Sequence, residues 1–76
     1  MTNIVKVERV RRRIQQKELA RILGVSRQSI YAMEECRYVP TVQLALKMAA
    51  LFNLKVEELF KLEDSEMESI VPLKEE

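Results

Sequence analysis

Arg27 and Gln28 stand side by side just after a serine, and they are the side chains of this chain best equipped to do chemistry. A guanidinium can donate two hydrogen bonds to a guanine edge, and a glutamine amide can pair bidentately with adenine. Tyr31, one helical turn on, has an alternative place over the edge of the core. The chemistry implied is recognition, because the parts of a catalyst are missing. There is no histidine, hence neither the commonest general base nor the commonest zinc ligand. Cys36, the single cysteine, has no base to activate it and reads as a small filler without a redox role. Gly24 is the only glycine, too few for a phosphate-cradling loop. No enzyme activity, cofactor, metal or small-molecule ligand is expected.

Those side chains need an element to hold them, and the apolar spacing supplies it. Gln16 to Leu23 places Leu19, Ala20 and Leu23 on one helical face, and Gly24 stops that helix. Ser26 is a good N-cap for a following helix to about Glu35, with Ile30 and Met33 inward and Arg27 and Gln28 left free. Two short helices joined by a tight glycine-containing turn form a helix-turn-helix, whose second helix enters the major groove by its N-terminal residues. Upstream, Val7, Val10 and Ile14 form an i, i+3, i+7 stripe for a short first helix ending near Arg12. Downstream, Pro40-Thr41 caps a fourth helix over 42–51 with Leu44, Ala45, Met48 and Ala49 buried. Asn53 ends it, and a fifth helix over 56–61 carries Val56, Leu59 and Phe60. Strand alternation is weak and confined to Ser69–Leu73. The expected fold is all-α, a compact five-helix bundle with the helix-turn-helix in helices 2 and 3.

Length, charge and composition limit the alternatives. Seventy-six residues fit one core, placed here over 1–62, with an acidic tail over 63–76. With 47% hydrophobic and 33% charged residues the chain should fold. No run approaches the length needed to span a bilayer, no signal peptide is evident, and the lone thiol suits a reducing compartment, so a soluble cytoplasmic protein is expected. The net charge of +1 hides an uneven distribution. Residues 1–38 carry nine basic and four acidic side chains, and residues 39–76 carry four and eight. Such asymmetry suits a basic face for a polyanion, with the acidic end turned away, though a solvated mixed surface is equally compatible.

The runs Gln16-Lys17-Glu18-Leu19-Ala20 and Leu23-Gly24-Val25-Ser26-Arg27-Gln28-Ser29-Ile30 resemble the Cro/repressor (XRE-type) helix-turn-helix family, with its Q-x-x-L-A and L-G-V-S-x-x-x-I. Met33-Glu34, Arg37-Tyr38-Val39-Pro40-Thr41, Leu44 to Ala49 and Val56 to Phe60 continue the likeness over roughly Val5 to Leu62. The resemblance implies a lambda-repressor-like fold and DNA binding by a recognition helix over 27–34. It implies base reading by Arg27, Gln28, Tyr31 and Ala32. Gln16, Ser26 and Arg37 fall at phosphate-contacting positions, with Arg12 and Arg13 added from the adjacent basic run. Arg9 and Glu34 match an internal ion pair.

Four departures from the family pattern carry expectations of their own. Glu8 replaces an apolar residue, predicting a first helix less buried than usual. Arg13 replaces a glycine, predicting a rebuilt or strained corner. Glu35-Cys36 replaces Asn-Gly and puts the following loop's path in question. Lys55 replaces a serine N-cap, predicting a frayed or late fifth helix.

One recognition helix reads too few base pairs for a unique address, so a homodimer on a palindromic operator is expected, most simply a transcriptional repressor. Leu54, Val56, Leu59 and Phe60 are the expected dimer interface, and Ile70-Val71-Pro72-Leu73 is either an arm on the other subunit or a loose end. The alternative is a protein-interaction module of the same fold, an antitoxin-like or coactivator partner. RNA binding is disfavoured by the scarcity of aromatics.

Overall fold

Each of the first four helices stops at a residue in the left-handed conformation, and that repetition sets the architecture. A computed structural model describes residues 1–74 of the chain. Its helices α1 (Val5–Arg11), α2 (Gln16–Leu23), α3 (Arg27–Glu34) and α4 (Val42–Phe52) are followed by Arg13, Gly24, Cys36 and Asn53, at φ of 57°, 73°, 60° and 56°. The residue after each sends its N–H back to a carbonyl five positions earlier: Ile14 to Arg9 (3.2 Å), Val25 to Ala20 (3.0 Å), Arg37 to Ala32 (2.8 Å) and Leu54 to Ala49 (2.9 Å). A second bond nests inside each, as from Cys36 N–H to the Met33 carbonyl at 3.0 Å. This is the Schellman arrangement, which satisfies orphan carbonyls and turns the next residue back onto its helix. Ile14, Val25 and Leu54 accordingly pack against the core.

The corner at Arg13 and the turn at Cys36 therefore keep the left-handed backbone although neither residue is glycine, at a cost of roughly 1–2 kcal/mol each. Gly24 is needed for the same reason and not for space, since a Cβ built there would meet nothing within 4 Å.

The later elements are α5 (Val56–Leu59), a two-residue strand β2 (Phe60–Lys61) and α6 (Asp64–Met67). β2 pairs antiparallel with β1 (Thr2–Asn3), in the register Thr2 to Lys61 and Asn3 to Phe60. Ile4 N–H continues that contact to the Leu59 carbonyl at 3.0 Å. The all-α class holds, with two additions to the five expected helices: α6 within the tail, and this small sheet. Ser69–Leu73 forms no strand; the strands are elsewhere, in runs too short for alternation to reveal. The fifth helix begins at Val56 directly after Lys55, because Glu58 accepts the Lys55 N–H at 2.9 Å and replaces the absent serine cap. Tail residues 75–76 lie outside the described residues. Among those described, no helix is long and apolar enough to cross a membrane.

The core gathers Val5, Leu19, Ile30, Met33, Met48, Phe52 and Leu59, all essentially fully buried. Helix α1 faces it differently from the apolar stripe. Val7 and Val10 are 60% and 55% exposed, while Val5, Glu8 and Arg9 are buried. The expectation of a less buried helix at Glu8 thus needs correction: Glu8 is buried because two arginines neutralise it. Its Oε1 accepts from Arg12 at 2.7 Å and lies 3.0 Å from an Arg11 nitrogen. Arg12 also donates to the Glu8 carbonyl at 3.0 Å and to the Phe52 carbonyl at 2.7 Å, with its guanidinium 4.8 Å from the Phe52 ring centre. Arg12 is thus spent on joining α1 to the end of α4, and the phosphate role expected of it is withdrawn. Arg12→Ala should lower stability by about 1.5–3 kcal/mol, the scale of hydrogen bonds made by charged groups. Urea unfolding would read this as a lower midpoint at unchanged slope; an unchanged midpoint would mean that the brace carries no stability.

Candidate nucleic-acid interface

Ser26 starts the element that bears the candidate residues. Its Oγ accepts the Ser29 N–H at 3.0 Å and sits 2.9 Å from the Ser29 hydroxyl, so α3 begins sharply at Arg27. At about 100° per residue, Ile30 and Met33 point one way and Arg27, Gln28, Tyr31 and Ala32 spread over the opposite arc. Burial follows that division: Ile30 and Met33 are 0% exposed, whereas Arg27, Gln28 and Tyr31 are exposed and Ala32 is half-buried. Leu19, Ala20 and Leu23 of α2 are buried in the same core cluster as the inner face of α3.

Glu34, at the C-terminal end of α3, anchors the helix from inside. Its side chain is 2% exposed, and its carboxylate receives Arg9 Nε at 2.6 Å, Arg9 Nη2 at 3.2 Å and Gln16 Nε2 at 3.0 Å. The remaining Arg9 nitrogen, Nη1, donates to the Ile14 carbonyl at 2.8 Å, on the corner before α2. One buried carboxylate therefore ties together α1, the start of α2 and the end of α3. Asn3 adds a tie from β1: its amide donates to the Met33 carbonyl at 2.9 Å, and its carbonyl oxygen accepts the Val5 N–H at 3.1 Å. Asn3 was not singled out in the sequence; its position just before a helix is a capping signal, but its partner at Met33 has no sequence signature.

Beside the anchor lies an open polar cleft of about 480 Å³ lined by Arg9, Gln15, Gln16, Lys17 and Arg27. The first turn of α2 has no side-chain cap, so its leading N–H groups face outward there. Free N–H groups, a helix dipole and two exposed cations suit an anion. Gln15 and Lys17 were missed as candidates, although both flank Gln16 at the helix start. Gln16 spends one amide hydrogen on Glu34 and keeps a second. Among the described residues, Arg13, Lys17, Arg27 and Arg37 form no ion pair.

Arg37 occupies the position where the other three helix ends carry an apolar residue, and its guanidinium lies 5.5 Å from the centre of the Tyr31 ring. A cation over an aromatic face takes the place of the usual apolar contact and steadies both exposed groups. The four residues expected at a dimer interface separate. Leu59 and Phe60 are 0% and 7% exposed, turned into the chain's own core, while Leu54 and Val56 remain half-buried at its edge. Leu59 is thereby closed off from solvent, whereas Phe60 still contributes to the wall of an apolar groove.

The sequence is similar to those of other proteins. A helix-turn-helix family model matches residues 5–59. A Methanocaldococcus jannaschii protein described as an uncharacterized HTH-type transcriptional regulator is 44% identical over 66 residues, covering 87% of this chain and all of its own length. A Bacillus subtilis protein of the same description is 42% identical over 64 residues, 84% of this chain and 97% of its own. An Archaeoglobus fulgidus relative, so described as well, is 36% identical over 67 residues, 88% of this chain and 94% of its own. The chain belongs to the helix-turn-helix family, as its likeness to the Cro/repressor (XRE-type) pattern implied.

The Arg9–Glu34 contact has a direct test. Either single alanine substitution leaves a charge without its partner in a site largely closed to water, and should cost about 3–5 kcal/mol. The double variant should lose less than the sum, because no charge is then left unpaired. Strict additivity in thermal or urea unfolding would show that the two side chains do not interact.

Proposed function

We propose that this chain binds double-stranded DNA sequence-specifically as a homodimeric transcriptional regulator, a repressor, with α3 in the major groove of each half of a palindromic operator. The observation that carries the reading is the division of α3: its apolar face and Glu34 are locked to the body, and its other face offers Arg27, Gln28, Tyr31 and Ala32 to solvent. A helix of roughly 12 Å in length and 10–12 Å in width suits a groove about 12 Å wide. Arg27 and Gln28, on the first turn, read base edges; Tyr31, steadied by Arg37, and Ala32 meet the next pair. Gln16, Lys17 and the open N-terminus of α2 hold one phosphate, with Ser26, Arg13 and Arg37 along the same backbone. Two copies are needed because eight helical residues reach only a few base pairs. The description of the relatives as HTH-type transcriptional regulators supports the regulatory part of the reading. Occupancy of the operator is itself the repressing act, since it excludes other proteins from the site.

Selection of bound DNA from a random pool tests this. The expected product is a palindrome whose half-sites lie about one helical turn apart. Absence of enrichment, together with copurification of a stoichiometric protein, would replace the reading by a protein-interaction module. On the selected site, Gln28→Ala should cost about 1–3 kcal/mol while leaving binding to random DNA nearly unchanged. Lys17→Ala should weaken both alike and lower the salt slope by about 1. Equal losses on both DNAs for Gln28→Ala would remove it from base reading.

A further inference from the structure

Two apolar features are exposed among the described residues. The first is a groove between the start of α4 and the α5–β2 corner, of about 240 Å³, lined by Met1, Val39, Pro40, Val42, Leu46 and Val56 among others. Val39, Val42 and Leu46 are 66%, 76% and 56% exposed there, and among the described residues the one charged group on the lining is the ammonium of Met1. The second is the segment Ile70-Val71-Pro72-Leu73, whose Ile70, Val71 and Leu73 are 60%, 80% and 95% exposed. It is an uncharged run between Glu68 and Lys74. The chain is 46 Å long but only 24 × 21 Å across. The root of the tail is held at the body by the Met1 ammonium, 2.6 Å from Glu66.

We propose that the segment 70–73 of one copy seats in the groove of a second copy, and the reverse, so that two arms are exchanged across a two-fold axis. This rests on the homodimer reading above and names the surface that makes the dimer. An exposed apolar run and an exposed apolar groove on one chain are complementary surfaces, and a two-fold operator satisfies both at once without leaving either open for further growth. Pro72 holds Val71 in extended conformation and suits the arm to lie along a groove. In a polyproline-type segment Ile70 and Leu73, three apart, share a side and present paired anchors. The acidic stretch Glu63 to Glu68 contributes no lining residue, and its Glu66 neutralises the ammonium of Met1, which does. None of the groove residues is among those assigned to DNA.

A cysteine pair on the full chain tests the exchange without DNA. Val42→Cys and Val71→Cys, in a Cys36→Ser background, alter three exposed positions and should leave the fold intact by circular dichroism. Mild oxidation should give a disulfide-linked dimer on non-reducing gels. A disulfide within one chain would mean that the arm folds back on its own groove and would overturn the exchange. Absence of any disulfide would overturn it too. As a second measurement, a chain truncated after Ser69 keeps every core residue, since the core ends at Phe60. Its dimer dissociation constant by sedimentation should rise roughly tenfold or more, as loss of three apolar anchors per arm requires. An unchanged constant defeats the proposal. The truncated chain should still select the same half-site, so loss of sequence selection would count against the DNA reading alone.

Discussion

The buried carboxylate of Glu34 is the constraint on which the rest of the structure depends. A charge with a side chain 2% exposed is tolerable only when its oxygens are filled, and three nitrogens fill them. Those nitrogens come from Arg9 on α1 and Gln16 at the start of α2. Arg9 in turn closes on the Ile14 carbonyl. The angle between α2 and α3 is thus set twice, by apolar contact of Leu19, Ala20 and Leu23 with the core and by this polar lock. The orientation of the outer face of α3 follows from it. Apolar contact alone tolerates sliding; a bidentate arginine–carboxylate pair fixes direction as well as distance.

Repeated helix endings do the corresponding work for the connections. Four successive helices leave their carbonyls satisfied by the same pair of backbone bonds, and the turn after each is short because the left-handed residue reverses the chain at once. Glycine and asparagine take that conformation readily at Gly24 and Asn53. Arg13 and Cys36 do not, and their cost is offset by what the turn permits: Ile14 packs on the core, and Arg37 reaches Tyr31. The strain sits at the two ends of the anchored unit, before α2 and after α3.

Charge is distributed along the chain in a way that separates tasks. Arg9 and Arg12 are spent internally, on Glu34 and on the Glu8–Phe52 brace, and they allow α1 to bury two polar residues beneath two exposed valines. Arg13, Lys17, Arg27 and Arg37 form no ion pair among the described residues and are exposed. The basic run Arg11-Arg12-Arg13 is therefore three different things: an exposed arginine paired to buried Glu8, an internal brace, and a cation with no ion pair among the described residues. Its uniform sequence conceals this.

Local sequence missed α6 and carried the fifth helix over 56–61, where Phe60–Lys61 is a strand. It settled the first four helices, the caps at Ser26, Gly24 and Thr41 and the division of α3 into two faces, because these signals act within a turn or two of chain. The XRE-type motif fixed the family for the same reason, being a run of local signals in order. The outward face of α1, the burial of Glu8 and the internal commitment of Arg12 were not legible. The facing of α1 and the commitment of Arg12 depend on partners far along the chain, as Phe52 lies forty residues from Arg12. The arginines that neutralise Glu8 are only three and four residues on, but that their cluster is turned inward is decided by packing. The same holds for Asn3 at Met33 and for the pairing of Thr2–Asn3 with Phe60–Lys61, where strands of two residues carry no alternation to detect. Leu59 and Phe60 were apolar in sequence, but only packing decided that they fill this chain's own core and leave Val42, Leu46 and Val56 to the groove. Apolar character is a property of the residue, whereas the surface it covers is a property of the three-dimensional arrangement, and no spacing rule reaches that far.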